Sequence, residues 1–283
     1  MLEQMDRLVL IKGAGDLASG IAVRLRRCGF AVVMTELAHP LMVRRPVCFG
    51  EAIYEGRVAV EGIEAQRAGG SAEAQTLLAQ GTIPILVDPA AKSRHELIPA
   101  VLVDAIMAKR NTGTSKVDAP LVIALGPGFS AGVDCHAVIE THRGHWLGRV
   151  IWQGAALADT GVPGEIGGHR SERVLRAPVT GLLTAIANIG DRVVAGQVLA
   201  TVDADFCLLS SVFCGQSIRA GCNGVLRGMI RSGLRVTAGL KVGDVDPRAE
   251  PDHCFTVSDK SLAIAGGVLE AILSRSKIPC LSG

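Results

Sequence analysis

Aromatic residues are scarce in this chain of 283 residues, at 3%, whereas hydrophobic residues make up 48% and glycines number 34. A core of Ala, Val and Leu rich in glycine suits sheets covered by helices and does not suit a disordered tail. An excess of one charge sign is also missing. The formal net charge is +2, and the basic clusters Arg24, Arg26 and Arg27, then Arg44 and Arg45, are short and separated. This balance argues against nucleic acid as the main partner. No apolar run reaches the ~18 residues of a membrane span. Lys12 closes the run from Leu8 to Ile11 before a signal-peptide core could form, so a cytoplasmic protein without membrane contact is expected. The eight cysteines include no Cys-x-x-Cys pair. Neither a zinc knuckle nor a thioredoxin-type site is signalled, no metal is expected, and most cysteines read as reduced, buried apolar residues.

What is present begins with "IKGAGDLASG", residues 11 to 20. Leu8 to Ile11 reads as a buried strand, and Leu17, Ala18, Ile21, Ala22 and Leu25 recur at helical spacing until Gly29. The segment is therefore strand, glycine loop, helix. Gly13, Ala14, Gly15, Asp16, Leu17 and Ala18 fit G-x-G-x-x-G/A, in which the second glycine lets backbone approach a pyrophosphate at a helix N-terminus. A second strand from Ala31 to Met34 leads to Glu36, where a carboxylate would reach ribose hydroxyls. Two readings stay open: a loop that receives a nucleotide-type ligand, or one that only joins strand to helix. Asp16 either caps the helix or repels a phosphate.

Ile83 to Val87 and Leu121 to Leu125 read as further buried strands, the second followed by a loop with Gly126, Gly128, Phe129 and Ser130. Ligands in open α/β sheets collect at such carboxyl strand ends, so both glycine loops are candidates for one cleft. The densest polar stretch comes next, with Cys135 beside His136, then Glu140, His142 and His145. An imidazolium lowers a neighbouring thiol pKa, which makes Cys135 and His136 a candidate catalytic pair, set against a buried Cys and a hydrogen-bonded His. His142 and His145 on a strand would point to opposite faces, a poor metal pair.

In the second half, residues 176–203 align without gaps on residues 219–246, pairing Gly181 with Gly224, Gly190 with Gly233 and Gly196 with Gly239. The pattern resembles the two halves of biotinyl and lipoyl domains. Those carriers need a modified lysine between the halves, and no lysine lies between Lys116 and Lys241; no covalent biotin or lipoyl group is expected. Cys207 and Cys214, between the copies, read as core filler. A last helix is expected after Ser258, with Leu262, Ala265, Leu269 and Leu273 on its apolar face and Gly266 and Gly267 marking a close approach.

The expected fold is α/β: a Rossmann-like parallel-sheet domain over 1–160 that binds a nucleotide, a barrel-sandwich hybrid domain over 165–248 built from the repeat, and a C-terminal helix in 249–283 returning to the first domain. Segments spanning nearly the whole chain, among them "LIKGAGDLASGIAVRL", "RRPVCFGEAIYEG", "LGPGFSAGVDCHAVIETHRGHWLGRVI" and "GLKVGDVDPR", resemble the YqeB family. That resemblance implies an accessory role in maturing selenium-dependent molybdenum hydroxylases, with a molybdopterin dinucleotide as the loop's ligand and a hydroxylase client or another maturation factor as partner. It also implies a soft nucleophile, for which Cys48 near Arg45 and Cys135 beside His136 are the candidates. The alternatives are an NAD(P)-dependent oxidoreductase with Glu36 on the ribose and Cys135 and His136 as acid and base, and a non-catalytic scaffold. Whether the chain is an enzyme stays open.

Overall fold

The computed structural model describes residues 8–161, 164–204 and 215–275. Cys207 and Cys214 lie outside the described residues. The chain divides into two compact units, one from Met1–Pro40, Cys48–Thr160 and Val257–Gly283, the other from Leu41–Val47 and Gly161–Thr256. Residues 41–47 thus join the second unit, which also runs on past residue 248. The contacts give the reason: Arg45 Nε donates to the Met229 carbonyl (2.9 Å), and Arg44 Nη2 donates to the carbonyls of His253 (2.9 Å) and Thr256 (3.0 Å).

The first unit carries strands β1 (Leu8–Lys12), β2 (Ala31–Glu36), β3 (Arg57–Val60), β4 (Ile63–Ala68), β5 (Ile83–Val87), β6 (Val101–Asp104), β7 (Leu121–Leu125), β8 (Ser130–Ala131), β9 (Ala137–Ile139), β10 (Val150–Ile151) and β11 (Gly154–Ala155). Nine of them form one sheet in the order β10-β9-β7-β6-β1-β2-β5-β4-β3, and β8 pairs with β11 apart from it. The seven inner strands are parallel, and only β3 and β10, at the edges, run antiparallel. Strands covered on both faces need continuous apolar runs. β1 and β7 supply them with LVLIK and LVIAL, buried at every position. Successive connections build outward from β1, first through β2 and β5, then on the other side through β6, β7 and β9. That reversal opens a crevice at the carboxyl ends of β1 and β6.

Three helices matter here: α1 (Asp16–Arg27), α2 (Ser71–Ala79) and α3 (Asp259–Arg275). α1 ends where Gly29 takes φ +83°, with the Phe30 N–H returning to the Leu25 carbonyl (3.0 Å). α3 starts on Ser258, whose hydroxyl accepts the Ser261 N–H (3.2 Å). It buries Ile264, Ala265, Val268, Ala271 and Ile272, while Leu273 is exposed. Of the expected stripe of Leu262, Ala265, Leu269 and Leu273, Ala265 is buried, Leu262 and Leu269 are half-buried, and the apolar face lies one step round from the three leucines. The glycine explains the rotation: any Cβ on Gly267 would overlap the Gly148 carbonyl, so this side of the helix must meet backbone. α3 also packs on α1, where a Cβ at Gly20 would strike the Ser261 side chain and Ser261 Oγ donates to the Asp16 carbonyl (3.2 Å).

The second unit has two antiparallel four-stranded sheets. One contains β12 (Val174–Arg176), β19 (Lys241–Asp246), β17 (Gly224–Met229) and β14 (Arg192–Val193); the other contains β16 (Gly215–Arg219), β15 (Val198–Ala204), β13 (Gly181–Ala185) and β18 (Arg235–Val236), each in that order. A single apolar cluster draws on both, through Leu175, Val193, Leu226 and Val245 on one side and Ile218, Val236, Leu183 and Val202 on the other.

Candidate functional site

The two glycine loops leave the carboxyl ends of β1 and β7, whereas Cys135 and His136 stand before β9, beside the start of β7. Gly13 leaves β1 with φ +101°, its N–H on the Thr35 carbonyl (2.8 Å), and an added Cβ would lie 3.2 Å from the Ala105 backbone. This glycine is required by the protein itself. Gly15 is different. It is the residue before α1, its φ of −75° is open to any residue, and an added Cβ would meet nothing within 4 Å. The first N–H groups of a helix have no intrahelical partner, and Gly15, the cap residue, has no side chain to offer them. An open approach to unpaired donors is what an anion needs.

Both carboxylates near the loop are placed. Asp16 is the first residue of α1, an acidic group in its first turn. Glu36, at the end of β2, accepts the Ala14 N–H on Oε2 (2.8 Å) and the Leu37 N–H on Oε1 (2.8 Å). It therefore braces the loop. Leu17 is part of the first helical turn, and Ala18 is fully packed.

The second glycine loop is built into the protein. A Cβ on Gly126 would strike Thr141 Oγ1, and one on Gly128 would overlap the Lys109–Arg110 backbone. Phe129 lies in the core, and the Ser130 N–H binds Asp134 Oδ2 (2.7 Å). Every one of these features has a packing explanation.

Cys135 is fully buried, and its Sγ donates to the Ala137 carbonyl (3.3 Å). Burial first, then the charge of Asp134, pushes its thiol up to about 12. A low-pKa nucleophile is the opposite of this, and the expectation of a reactive thiolate finds no support in the geometry. His136 accepts the Val122 N–H on Nδ1 (2.9 Å), and burial, followed by the charges of Lys116 and Arg275, holds it below the usual histidine range. Its ring is bonded to backbone. Cys48 is buried beside the first loop, where the Gly50 N–H donates to the Ala14 carbonyl (2.9 Å). Glu140 is spent on the N–H groups of His142 (2.7 Å) and Leu157 (2.8 Å). With Trp146, Arg149, Ile151, Ala155 and Leu157 it lines an open cavity of about 250 Å³. Among the described residues, no group of His, Cys, Asp and Glu side chains could hold a metal ion.

Sequence reasoning missed a buried cluster beneath the crevice. Lys12 and Asp104, register partners at the ends of β1 and β6, are 3% and 2% exposed. Lys12 Nζ donates to Thr114 Oγ1 (3.1 Å) and lies 3.7 Å from Asp104 Oδ2, to which Thr114 Oγ1 donates (2.5 Å). The segment bringing Thr114 in contains Met107 and Lys109 at φ +61° and +59°, strain of a kind that gathers at functional sites. Lys260, at the start of α3, is half-buried. Burial and then the charge of Arg143 hold it below the usual lysine range, against the opposing pull of Asp16, Glu140 and Asp159.

No family model matches the chain. Among solved structures, an aspartoacylase family protein from Mesorhizobium loti is 13% identical, with 86% of each chain covered and a TM-score of 0.29. A succinylglutamate desuccinylase/aspartoacylase from Rhodobacter sphaeroides is 21% identical over 27% of this chain and 22% of that one, with a TM-score of 0.24. Likenesses this weak carry no argument. The protein named YqeB from Escherichia coli K12, called uncharacterized, is 49% identical over 267 residues, which is 94% of this chain and 47% of that protein. The chain thus spans about half the length of its relative. With that identity sustained from one half of the fold to the other, the chain belongs to the YqeB family.

Proposed function

We propose that the protein is a cytoplasmic accessory factor that binds a phosphorylated, nucleotide-type cofactor at the carboxyl edge of its Rossmann-like sheet. One observation carries the reading: Gly15, with an ordinary φ and empty space where its side chain would be, sits at the N-terminus of α1. A glycine that the protein does not need leaves room for a ligand that does. Gly15, Leu17 and Ala18 would supply backbone donors, and Glu36 would hold the loop in shape through Ala14.

The family resemblance supplies the ligand and the setting. A molybdopterin dinucleotide carries the pyrophosphate such a loop receives, and maturation of selenium-dependent molybdenum hydroxylases is the process it would serve. The second unit, read as a barrel-sandwich hybrid, is the natural docking module for the client. The two sheets support that reading, because Leu183, Val193 and Val202 of one copy meet Leu226, Val236 and Val245 of the other in one core, at a constant spacing in sequence. For chalcogen chemistry, Cys48 is the better-placed thiol, since its neighbour Gly50 binds the loop directly. The oxidoreductase reading keeps the loop but loses its acid and base, because Cys135 is packed in the core and His136 is bonded to the Val122 backbone.

Gentle purification followed by mass spectrometry of the released small molecule tests the proposal. A pterin dinucleotide supports it, NAD(P) transfers the loop to the oxidoreductase reading, and an empty protein leaves the scaffold. In parallel, Gly15→Val is expected to lose the ligand and keep its fold.

A further inference from the structure

Lys12 is a costly residue to bury. A lysine is almost never fully buried unless paired, because the ammonium gives up its hydration. Here the pairing is incomplete. The ammonium has three donors, and among the described residues it makes one hydrogen bond, to Thr114 Oγ1 at 3.1 Å, with Asp104 Oδ2 further off at 3.7 Å. The carboxylate needs Lys12 less: Asp104 already accepts the Thr114 hydroxyl on Oδ2 and the Ile106 N–H on Oδ1 (3.2 Å). Thr114 in turn is held from its own loop, where Asn111 Oδ1 accepts its N–H (2.8 Å) and Asn111 Nδ2 donates to its carbonyl (2.8 Å).

The place of this cluster matters as much as its count. Lys12 immediately precedes Gly13, and with its register partner Asp104 it lies at the point where the strand order reverses, the position at which open α/β sheets bind ligands. A cation with donors to spare, three residues before the open Gly15, is placed to complement a bound anion. The geometry points to Lys12 as a second binding group of the site, its ammonium held by Thr114 and Asp104 until a phosphoryl oxygen of the ligand takes up its free N–H bonds. This rests on the reading that the glycine loop receives a phosphorylated ligand.

The role separates from simple bracing of the loop by what Thr114 does. If Thr114 only holds Lys12 in place of the ligand, removing its hydroxyl frees a donor for the anion. If Lys12 serves only to anchor the Thr114 loop, the two side chains act as one, and losing either has the same effect.

Inorganic pyrophosphate is the probe, titrated calorimetrically into the full chain at fixed ionic strength. Lys12→Met is expected to weaken its binding by about tenfold or more, the effect of a lost charge-assisted hydrogen bond, while Thr114→Val leaves binding equal or tighter. Weakening by Thr114→Val as large as that by Lys12→Met, or no effect of Lys12→Met, overturns the inference. Should Lys12→Met fail to fold, Lys12→Gln takes its place with the same expected loss, and unchanged pyrophosphate binding there overturns the inference. Gly15→Val distinguishes the two readings. Loss of binding there with Lys12→Met unaffected leaves the glycine loop standing without Lys12. Retention there with Lys12→Met impaired removes the loop and keeps the lysine.

Discussion

The two units use glycine in opposite ways. In the double-sheet unit, a Cβ on Gly181 or Gly224 would overlap the carbonyl of the neighbouring strand, that of Asp203 in the first case and of Asp246 in the second. In the large-sheet unit, Gly15 touches nothing and is not strained. A glycine pressed by backbone reports how tightly strands approach. A glycine with room around it reports space kept clear. The largest expected effect tests this contrast. Gly224→Val forces the β17 and β19 backbones apart and is expected to cost about 4 kcal/mol or more. Gly15→Val is expected to stay within the ~0.5 kcal/mol of an ordinary surface change and, on the proposed reading, to lose the ligand. Thermal unfolding of both variants reads the difference, and similar losses of stability would erase it.

Buried charge divides the units in the same way. In the second unit Arg173 Nη1 meets Asp244 Oδ1 at 2.7 Å, and Arg248 Nη2 meets Asp246 Oδ2 at 2.6 Å, with Arg227 3.7 Å away. Burial alone would raise Asp246, but the side-chain and backbone hydrogen bonds of Arg248, then the charges of Arg248 and Arg227, outweigh it and hold the carboxyl below its usual range. A depressed carboxyl contributes stability that is present above its unfolded pKa of ~3.9 and is lost as pH falls through the lower folded value. Asp246→Asn removes the buried carboxylate that faces the Arg248 and Arg227 guanidinium groups and is expected to cost about 3 kcal/mol at neutral pH. It should also flatten the acid limb of a urea-denaturation series below pH 4, and an unchanged acid limb would place the acid sensitivity elsewhere.

Much of the fold was legible in the sequence, for a physical reason. The strands that end at Lys12, Glu36, Val87 and Leu125 are short apolar runs closed by turn residues, and the glycine spacing after β1 sets the turn into α1. Local pattern suffices there. The hairpin of β3 and β4 was not legible, because RVAV and IEAQRA are half-exposed and carry only weak alternation. Nor was the Lys12 cluster. Lys12, Asp104 and Thr114 are single polar residues far apart in the chain, and only the pairing of β1 with β6 makes them neighbours. In sequence, Lys12 registers merely as the end of an apolar run. Cys135 misled for a related reason: adjacency to His136 in the chain says nothing about which way each side chain turns, and in the fold one enters the core while the other binds the Val122 N–H.

The smallest effect concerns the core cysteines. Burial raises Cys135, Cys222 and Cys254 alike, but their charged neighbours differ between the units. Around Cys135 the carboxylates Asp134 and Asp104 push in the same direction as burial, to about 12. Around Cys254 the guanidinium groups of Arg227 and Arg44 oppose it. A thiol whose folded pKa is raised contributes stability that is complete below its unfolded pKa of ~8.5 and is lost as pH rises toward the folded value. The window for Cys135 is therefore pH ~8.5 to about 12. Cys135→Ala is expected to cost about 1 kcal/mol at neutral pH and to shallow the alkaline limb of the stability curve within that window. In the native protein at pH 7, iodoacetamide should label the exposed Cys28 and leave Cys135 unmodified, as peptide mass analysis can read. If Cys135 reacts as fast as Cys28, the core opens around the start of β9 more readily than its packing implies. The thiolate would then return as a candidate for the chemistry of the site.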